Sequence, residues 1–271
     1  MPADPHAYLD PHRHAATTDA IRVVDPDSIR ERNDWPLYER ILQRMALHRG
    51  EHLLDAGCAR GLIAAMATGL GAKVVGVDPS PLHVTTARRR NPHGEFHVGR
   101  LEELPFPDSR FDAITVVDSL QRSMHPTRVL RELRRVLRGA GRIAIVAWSD
   151  PRGCDSAICF ESVRPDDDRA LTASTGPYAF AGTGALAESL SRAGLRASSS
   201  EHMSFTHTYN DLRSARQELV GGGHAPETWR SLSEEAQLVR LHPLLEPYKV
   251  ADGSYVLHNS FRVVIAKKGS E

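Results

Sequence analysis

The sequence predicts an α/β fold built on a doubly wound, mostly parallel sheet. Short apolar runs, at residues 52–56, 73–78, 95–98, 111–117 and 142–147, alternate with stretches of helical period. Sharp glycine- or acid-bearing turns directly follow the first two runs. Parallel strands need crossovers, and right-handed crossovers place helices on both faces of the sheet. A closing alternation at 253–266 reads as an antiparallel strand that ends the sheet.

The elements follow in order. Residues 1–20 are rich in Pro, Asp, His and Ala without periodicity and read as a flexible arm, so the folded domain spans 21–271. From 35 to 47 Trp35, Leu37, Ile41, Leu42, Met45 and Leu47 recur at helical spacing. Helices follow at 61–70 and 81–90, the second opened by Ser80 as N-cap with Pro81 behind it. Residues 126–138 carry Val129, Leu130, Leu133, Val136 and Leu137 on one face, and the Gly139-Ala140-Gly141 run stops that helix. Residues 151–178 read as an irregular excursion, 183–193 as a helix and 199–206 as a strand. A helical insertion over about 207–250, broken at Gly221-Gly222-Gly223, offers a lid or a dimer surface.

Composition narrows the function. Lys plus Arg equals Asp plus Glu at 34 each, so no net charge drives the chain toward nucleic acid or an anionic membrane. The Arg88-Arg89-Arg90 run reads as a solvated helix end. No apolar stretch reaches the roughly 18 residues of a membrane span. Cys58, Cys154 and Cys159 fit neither a disulfide framework nor a zinc site, and the 14 histidines show no metal spacing. These features predict no metal and a reducing, cytoplasmic setting.

The chemistry sits between the first strand and its helix, in Asp55-Ala56-Gly57-Cys58-Ala59-Arg60-Gly61. A strand that turns at once into a helix needs glycine where φ is positive or a ligand comes close. The helix start then offers free N–H groups. An acid two residues before the first glycine suits an ammonium better than a phosphate, which argues for an amino-acid-bearing cofactor. Asp78 ends the second strand, 21 residues after Gly57, where a carboxylate accepts from ribose hydroxyls. Either feature alone also fits a structural βαβ turn. Together, on consecutive strand ends, they point to an adenosine cofactor.

The chain resembles the class I S-adenosylmethionine-dependent methyltransferases, in particular a bacterial small-molecule branch. The likeness rests on residues 55–61, on Asp78, and on the stretches 101–112, 131–141 and 251–261. It implies a Rossmann-like, seven-stranded sheet with an antiparallel last strand. By this resemblance Asp55, Gly57, Cys58, Ala59 and Gly61 line the methionyl and ribose side, and Asp78 holds the ribose. Pro79 and His83 lie beside the adenine, Arg100, Leu101 and Glu102 flank its edge, and Val117 faces the methionyl group. Two residues depart from the family pattern: Ala59 replaces a glycine, and Arg100 stands where an aspartate usually accepts from adenine.

Methyl transfer from a sulfonium is an in-line displacement that asks the protein mainly for alignment and exclusion of water. Acceptor residues then lie beyond the strand ends, with Gln121 and Arg122 beside Asp118, which fits a base or substrate anchor and equally an exposed cap or a contact to the cofactor's ammonium. Trp148, Trp35 and Tyr38 fit core packing better than a pocket wall, and His125 fits a helix cap. Trp229, Leu232 and Leu238 fit either a lid or the insertion's own core. The expected reaction methylates an O, N or C centre of a small metabolite, giving S-adenosylhomocysteine. The competing reading keeps the cofactor for a cyclisation, isomerisation or decarboxylation.

Overall fold

The computed structural model describes residues 29–161, 176–182, 184–221, 225 and 227–269. The expected arm at 1–20, half of the irregular excursion and Gly222-Gly223 lie outside them. The elements run α1 (Ile29–Met45), β1 (His52–Ala56), α2 (Leu62–Gly69), β2 (Lys73–Asp78), α3 (Pro81–Arg90), β3 (Glu95–Val98) and β4 (Phe111–Val117). They continue α4 (Pro126–Val136), β5 (Leu137–Trp148), α5 (Ala157–Glu161), α6 (Ala185–Arg192) and β6 (Leu195–Tyr209). Last come α7 (Leu212–Leu219), α8 (Glu227–Arg230), α9 (Glu234–Leu245) and β7 (Tyr255–Lys268).

The seven strands lie in the order β3-β2-β1-β4-β5-β7-β6. β3, β2, β1, β4 and β5 pair in parallel, and β7 pairs antiparallel to both β5 and β6. The mostly parallel Rossmann-like sheet with its antiparallel last strand is therefore the observed architecture. One detail differs, because β7 does not end the sheet but lies between β5 and β6. The edge strand β6 runs from 195 to 209 rather than 199 to 206. Its residues 196–206 are exposed or half-buried, which suits a strand paired on one side only and hides its length in a polar run.

Each face of the sheet carries its own apolar layer. Ile41, Met45, Ile63 and Met66 pack on one face, and Leu54, Ile114, Leu130 and Leu133 on the other. Burying one such side chain stabilises the fold by about 1.5–3 kcal/mol. α4 ends two residues earlier than its apolar stripe suggested, since Leu137 already pairs with Phe111 in β5. Gly139-Ala140-Gly141 therefore lies inside the strand, at the register shift between Phe111 and Ala113. A Cβ on Gly141 would stand 2.6 Å from Leu137 Cδ1 and 2.9 Å from the Asp112 carbonyl, so the glycine serves that irregularity and not a helix stop.

α1 already covers Ile29, six residues before the apolar period becomes visible. Its first turns are charged yet buried because they are paired. Arg90 reaches Glu31 at 2.7 and 3.0 Å, and Arg88 donates to the Phe96 carbonyl at 2.6 Å. The basic run thus includes two cross-ties rather than only a solvated face. At the other end of α1, Arg142 of β5 donates to the Met45 and Ala46 carbonyls and pairs with Glu51. Between β6 and β7, Trp229, Leu241 and Leu245 are buried, so Trp229 belongs to the core. Among the described residues no helix is long and apolar enough to cross a membrane.

Candidate active site

A cavity of about 550 Å³ opens where β1, β2, β4 and β5 end. Asp55, Gly57, Cys58, Ala59, Asp78, Pro79, His83, Arg100, Leu101, Glu102, Val117 and Asp118 all line it. Gly61 and Gln121 do not. Gly61 is the left-handed N-cap of α2, and a Cβ there would stand 2.9 Å from the Ala87 Cβ, so it sets the packing of α2 on α3.

The turn after β1 is built from positive φ at Gly57 (83°), Ala59 (44°) and Gly61 (79°). Asp78 braces it. Its Oδ2 accepts from the Ala59 N–H at 3.0 Å, while its Oδ1 accepts from the Ser80 N–H at 2.9 Å and lies 3.1 Å from His83 Nδ1. Ser80 caps α3 as its sequence suggested, accepting from the His83 N–H at 3.3 Å. Asp55 is buried; its Oδ1 accepts from the Thr115 hydroxyl at 2.8 Å, and its Oδ2 has no hydrogen-bond partner. Burial, reinforced by the neighbouring Asp78 charge, pushes the Asp55 carboxyl up to about 7 against the Thr115 bond. Cys58 lies beneath the same turn, and burial followed by the charges of Asp55 and Asp78 raises its thiol far above the ordinary range.

Arg100 sends its side chain outward, 76% exposed, with Nε 3.6 Å from Glu102 Oε2. Glu102 in turn accepts from the Ser123 hydroxyl at 2.7 Å.

Asp118 stands in the left-handed region at φ 52° and accepts from four side chains. Gln121 Nε2 and the Trp148 indole N–H (3.1 Å) bond its Oδ1, and Arg30 (3.2 Å) and Arg122 (3.1 Å) bond its Oδ2. A carboxylate offers about four lone-pair positions. These donors engage both oxygens, and Gln121 reaches Asp118 from outside the cavity. His125 stands at the N-cap of α4 but makes no side-chain cap bond.

The far wall was not legible as a site. Arg30, Asp34 and Tyr38 come from α1, Trp148 from β5, His207 and Tyr209 from β6, Glu218 and Leu219 from α7, and Phe261 from β7. Trp148 and Tyr38 thus face the cavity as well as the core. The one sequence signal for this wall is the two-residue spacing of His207 and Tyr209, which puts both on one face of β6. Trp229, Leu232 and Leu238 do not line the cavity, so among the described residues α7 alone of the insertion's helices reaches it. His258 is exposed and lies 3.2 Å from the Thr206 hydroxyl.

Residues 54–145 match the family model described as a methyltransferase domain. This third of the chain is similar to methyltransferase domains. A demethylmenaquinone methyltransferase of Clavibacter sepedonicus is 32% identical over 140 residues, covering 48% of this chain and 56% of that relative. A 27-O-demethylrifamycin SV methyltransferase of Amycolatopsis mediterranei is 34% identical over 116 residues, covering 40% of this chain and 43% of the relative. The chain spans about half the length of the curated relatives it matches. Among solved structures, the cyclase SpnF superposes with a TM-score of 0.57 at 24% identity, covering 87% of this chain and 82% of that one. That likeness is one of fold. The matched stretch contains the 55–61 turn, Asp78 and Asp118, whereas His207, Glu218 and Phe261 lie beyond it.

Proposed function

We propose that the protein transfers a methyl group from S-adenosylmethionine to a nucleophilic centre of a small molecule. The observation that carries this reading is one continuous cavity joining the Asp55–Asp78 end to the Trp148–His207–Phe261 wall. The unpartnered, buried Asp55 Oδ2 is the best single argument for the cofactor, since it offers an acceptor to an ammonium group. When bound, S-adenosylmethionine supplies an activated methyl group on a positively charged sulfur.

The chain's own residues then bind, orient and exclude water. Asp55 takes the amino group, and the Gly57–Cys58–Ala59 turn cradles the methionyl part. Asp78 receives the ribose hydroxyls, keeping its bonds to the loop. Pro79, His83, Leu101 and Glu102 border the adenine, with Arg100 reaching outward at the rim. Val117 walls the methionyl group. Trp148, Tyr209 and Phe261 keep water from the acceptor side, and Asp118 fixes Trp148 and Arg30 there. A volume of this size suits a small acceptor beside the cofactor. Three buried, unpaired cysteines suit a reducing compartment, and the cytoplasm is the proposed site of action.

The test is calorimetric titration of the protein with S-adenosylmethionine and S-adenosylhomocysteine, with Asp78→Ala beside it. Both ligands are expected to bind, and the variant to lose at least about tenfold in affinity. Folded wild-type protein that binds neither ligand would overturn the reading.

A further inference from the structure

Among the described residues, the half of the cavity away from the 55–61 turn holds more carboxylate than cation. Arg30 bonds Asp34 at 3.3 Å and Asp118 at 3.2 Å, and Arg122 bonds Asp118 at 3.1 Å. Glu31, on the same helix, is matched by Arg90. Glu218 of α7 has neutral hydrogen-bond donors only, Asn33 Nδ2 at 3.1 Å and the Tyr209 hydroxyl at 3.2 Å. Among the described residues, Glu218 is thus the carboxylate of this half with no cation at hydrogen-bond distance.

His207 does not balance it. Its ring lies between two acids, Nδ1 3.7 Å from Glu218 Oε1 and Nε2 4.0 Å from Asp34 Oδ1, and neither nitrogen makes a hydrogen bond. Its side chain is 4% exposed, and burial lowers its affinity for a proton, so it stays neutral. A second buried polar group lines the same chamber unpartnered, the hydroxyl of Ser156, whose residue is fully buried. Tyr38, Trp148, Tyr209 and Phe261 supply aromatic surface around these groups.

A surplus carboxylate in a water-poor chamber is costly until a cation or a proton meets it. Aromatic faces attract the same kind of charge. We propose that this chamber takes an amine that is protonated in water, with its nitrogen set against Glu218 and its carbon skeleton among the aromatic rings. The inference rests on reading the chamber as the acceptor half of a methyl-transfer site. An ammonium nitrogen has no lone pair to give. Glu218 accepts its proton: an N–H bond breaks, an O–H bond forms on the carboxylate, and the amine is left neutral with its lone pair free. His207 and Ser156 supply the further polar contacts that fix its position.

The test is calorimetry on the full chain with three probes of one shape, 2-phenylethylamine, 2-phenylethanol and 3-phenylpropionate. Each is titrated with and without S-adenosylhomocysteine present. The amine is expected to bind at least about tenfold tighter than either other probe. Glu218→Gln should bring amine and alcohol to within about threefold, and Glu218→Asp, which keeps the charge, should retain the preference. S-adenosylhomocysteine affinity, measured in the same samples, should not change in either variant. Equal binding of the alcohol, tighter binding of the carboxylate, no binding of any probe, or an amine preference surviving in Glu218→Gln would each overturn the proposal. An amine preference in protein that fails to bind S-adenosylhomocysteine would support the chamber and count only against the cofactor reading.

Discussion

The Trp148 indole N–H donates to Asp118 Oδ1 at 3.1 Å, tying the end of β5 to the residue that follows β4. The bond explains how a large aromatic side chain keeps one orientation against the cavity. Trp148→Phe keeps a ring in place and removes the donor. It should cost about 1.5 kcal/mol in chemical denaturation, as for a hydrogen bond to a charged group. S-adenosylhomocysteine affinity should stay within about threefold, because the bond supports the opposite wall. A larger loss of affinity would mean that Asp118 reaches the cofactor itself.

Asp55 makes the site sensitive to pH. Its carboxyl is pushed up to about 7 in the folded protein, chiefly by burial. The folded state therefore binds more protons at this site than the unfolded state between about pH 4 and pH 7. Stability contributed here falls as pH rises through that window and remains lower above it. An ammonium placed against Asp55 should reverse the preference. Binding of S-adenosylhomocysteine at pH 6, where its amino group is already charged, should release close to one proton. Calorimetry in buffers of different ionisation enthalpy reads that number, and Asp55→Asn should bring it near zero.

Ala59 occupies the left-handed region at φ 44°, held by its N–H bond to Asp78. Such a conformation costs a residue with a Cβ about 1 kcal/mol. Ala59→Gly removes that strain but gives the unfolded chain more freedom, an opposing effect of about 0.5–1 kcal/mol. The melting temperature should barely move. Cofactor affinity should rise a few-fold, because the methyl group that narrows the turn is gone. Weaker binding in the variant would show that the methyl group itself contacts the ligand.

The thiols should be silent in the native state. Burial raises Cys154, pushes Cys159 up to about 12, and acts with two nearby carboxylates on Cys58. Iodoacetamide at pH 8 should label none of them within minutes, and all three on unfolding, as counted by intact mass. Rapid labelling of Cys58 alone would mean that the turn above it opens readily.

What the sequence disclosed was the part governed by local rules. The strand–turn–helix at 52–70 carries its own glycines, and Ser80-Pro81 announces α3 without help from the rest of the chain. α4 shows its buried stripe plainly, though its end depends on Phe111, a partner 26 residues earlier that no local pattern reveals. The acceptor wall is the opposite case. Arg30, Asp34, His207 and Glu218 come from three elements, and each is an unremarkable polar residue in its own stretch. Only the sheet order brings them together. Gln121 was misassigned because nearness in sequence to Asp118 does not say which side of the loop faces the cavity.

The position of β7 also sets an order of events. Among the described residues, β6 pairs with β7 alone, which itself pairs with β5. On a ribosome, β1, β2 and the 55–61 turn emerge while later residues are still being added. His207 and Tyr209 must wait for Tyr255–Lys268 to emerge before their strand can join the sheet. The chain would thus pass through a stage in which the 55–61 turn is made and the wall bearing His207 and Tyr209 is not. A ligand that binds at that turn would stabilise that nascent form before any acceptor could be recognised.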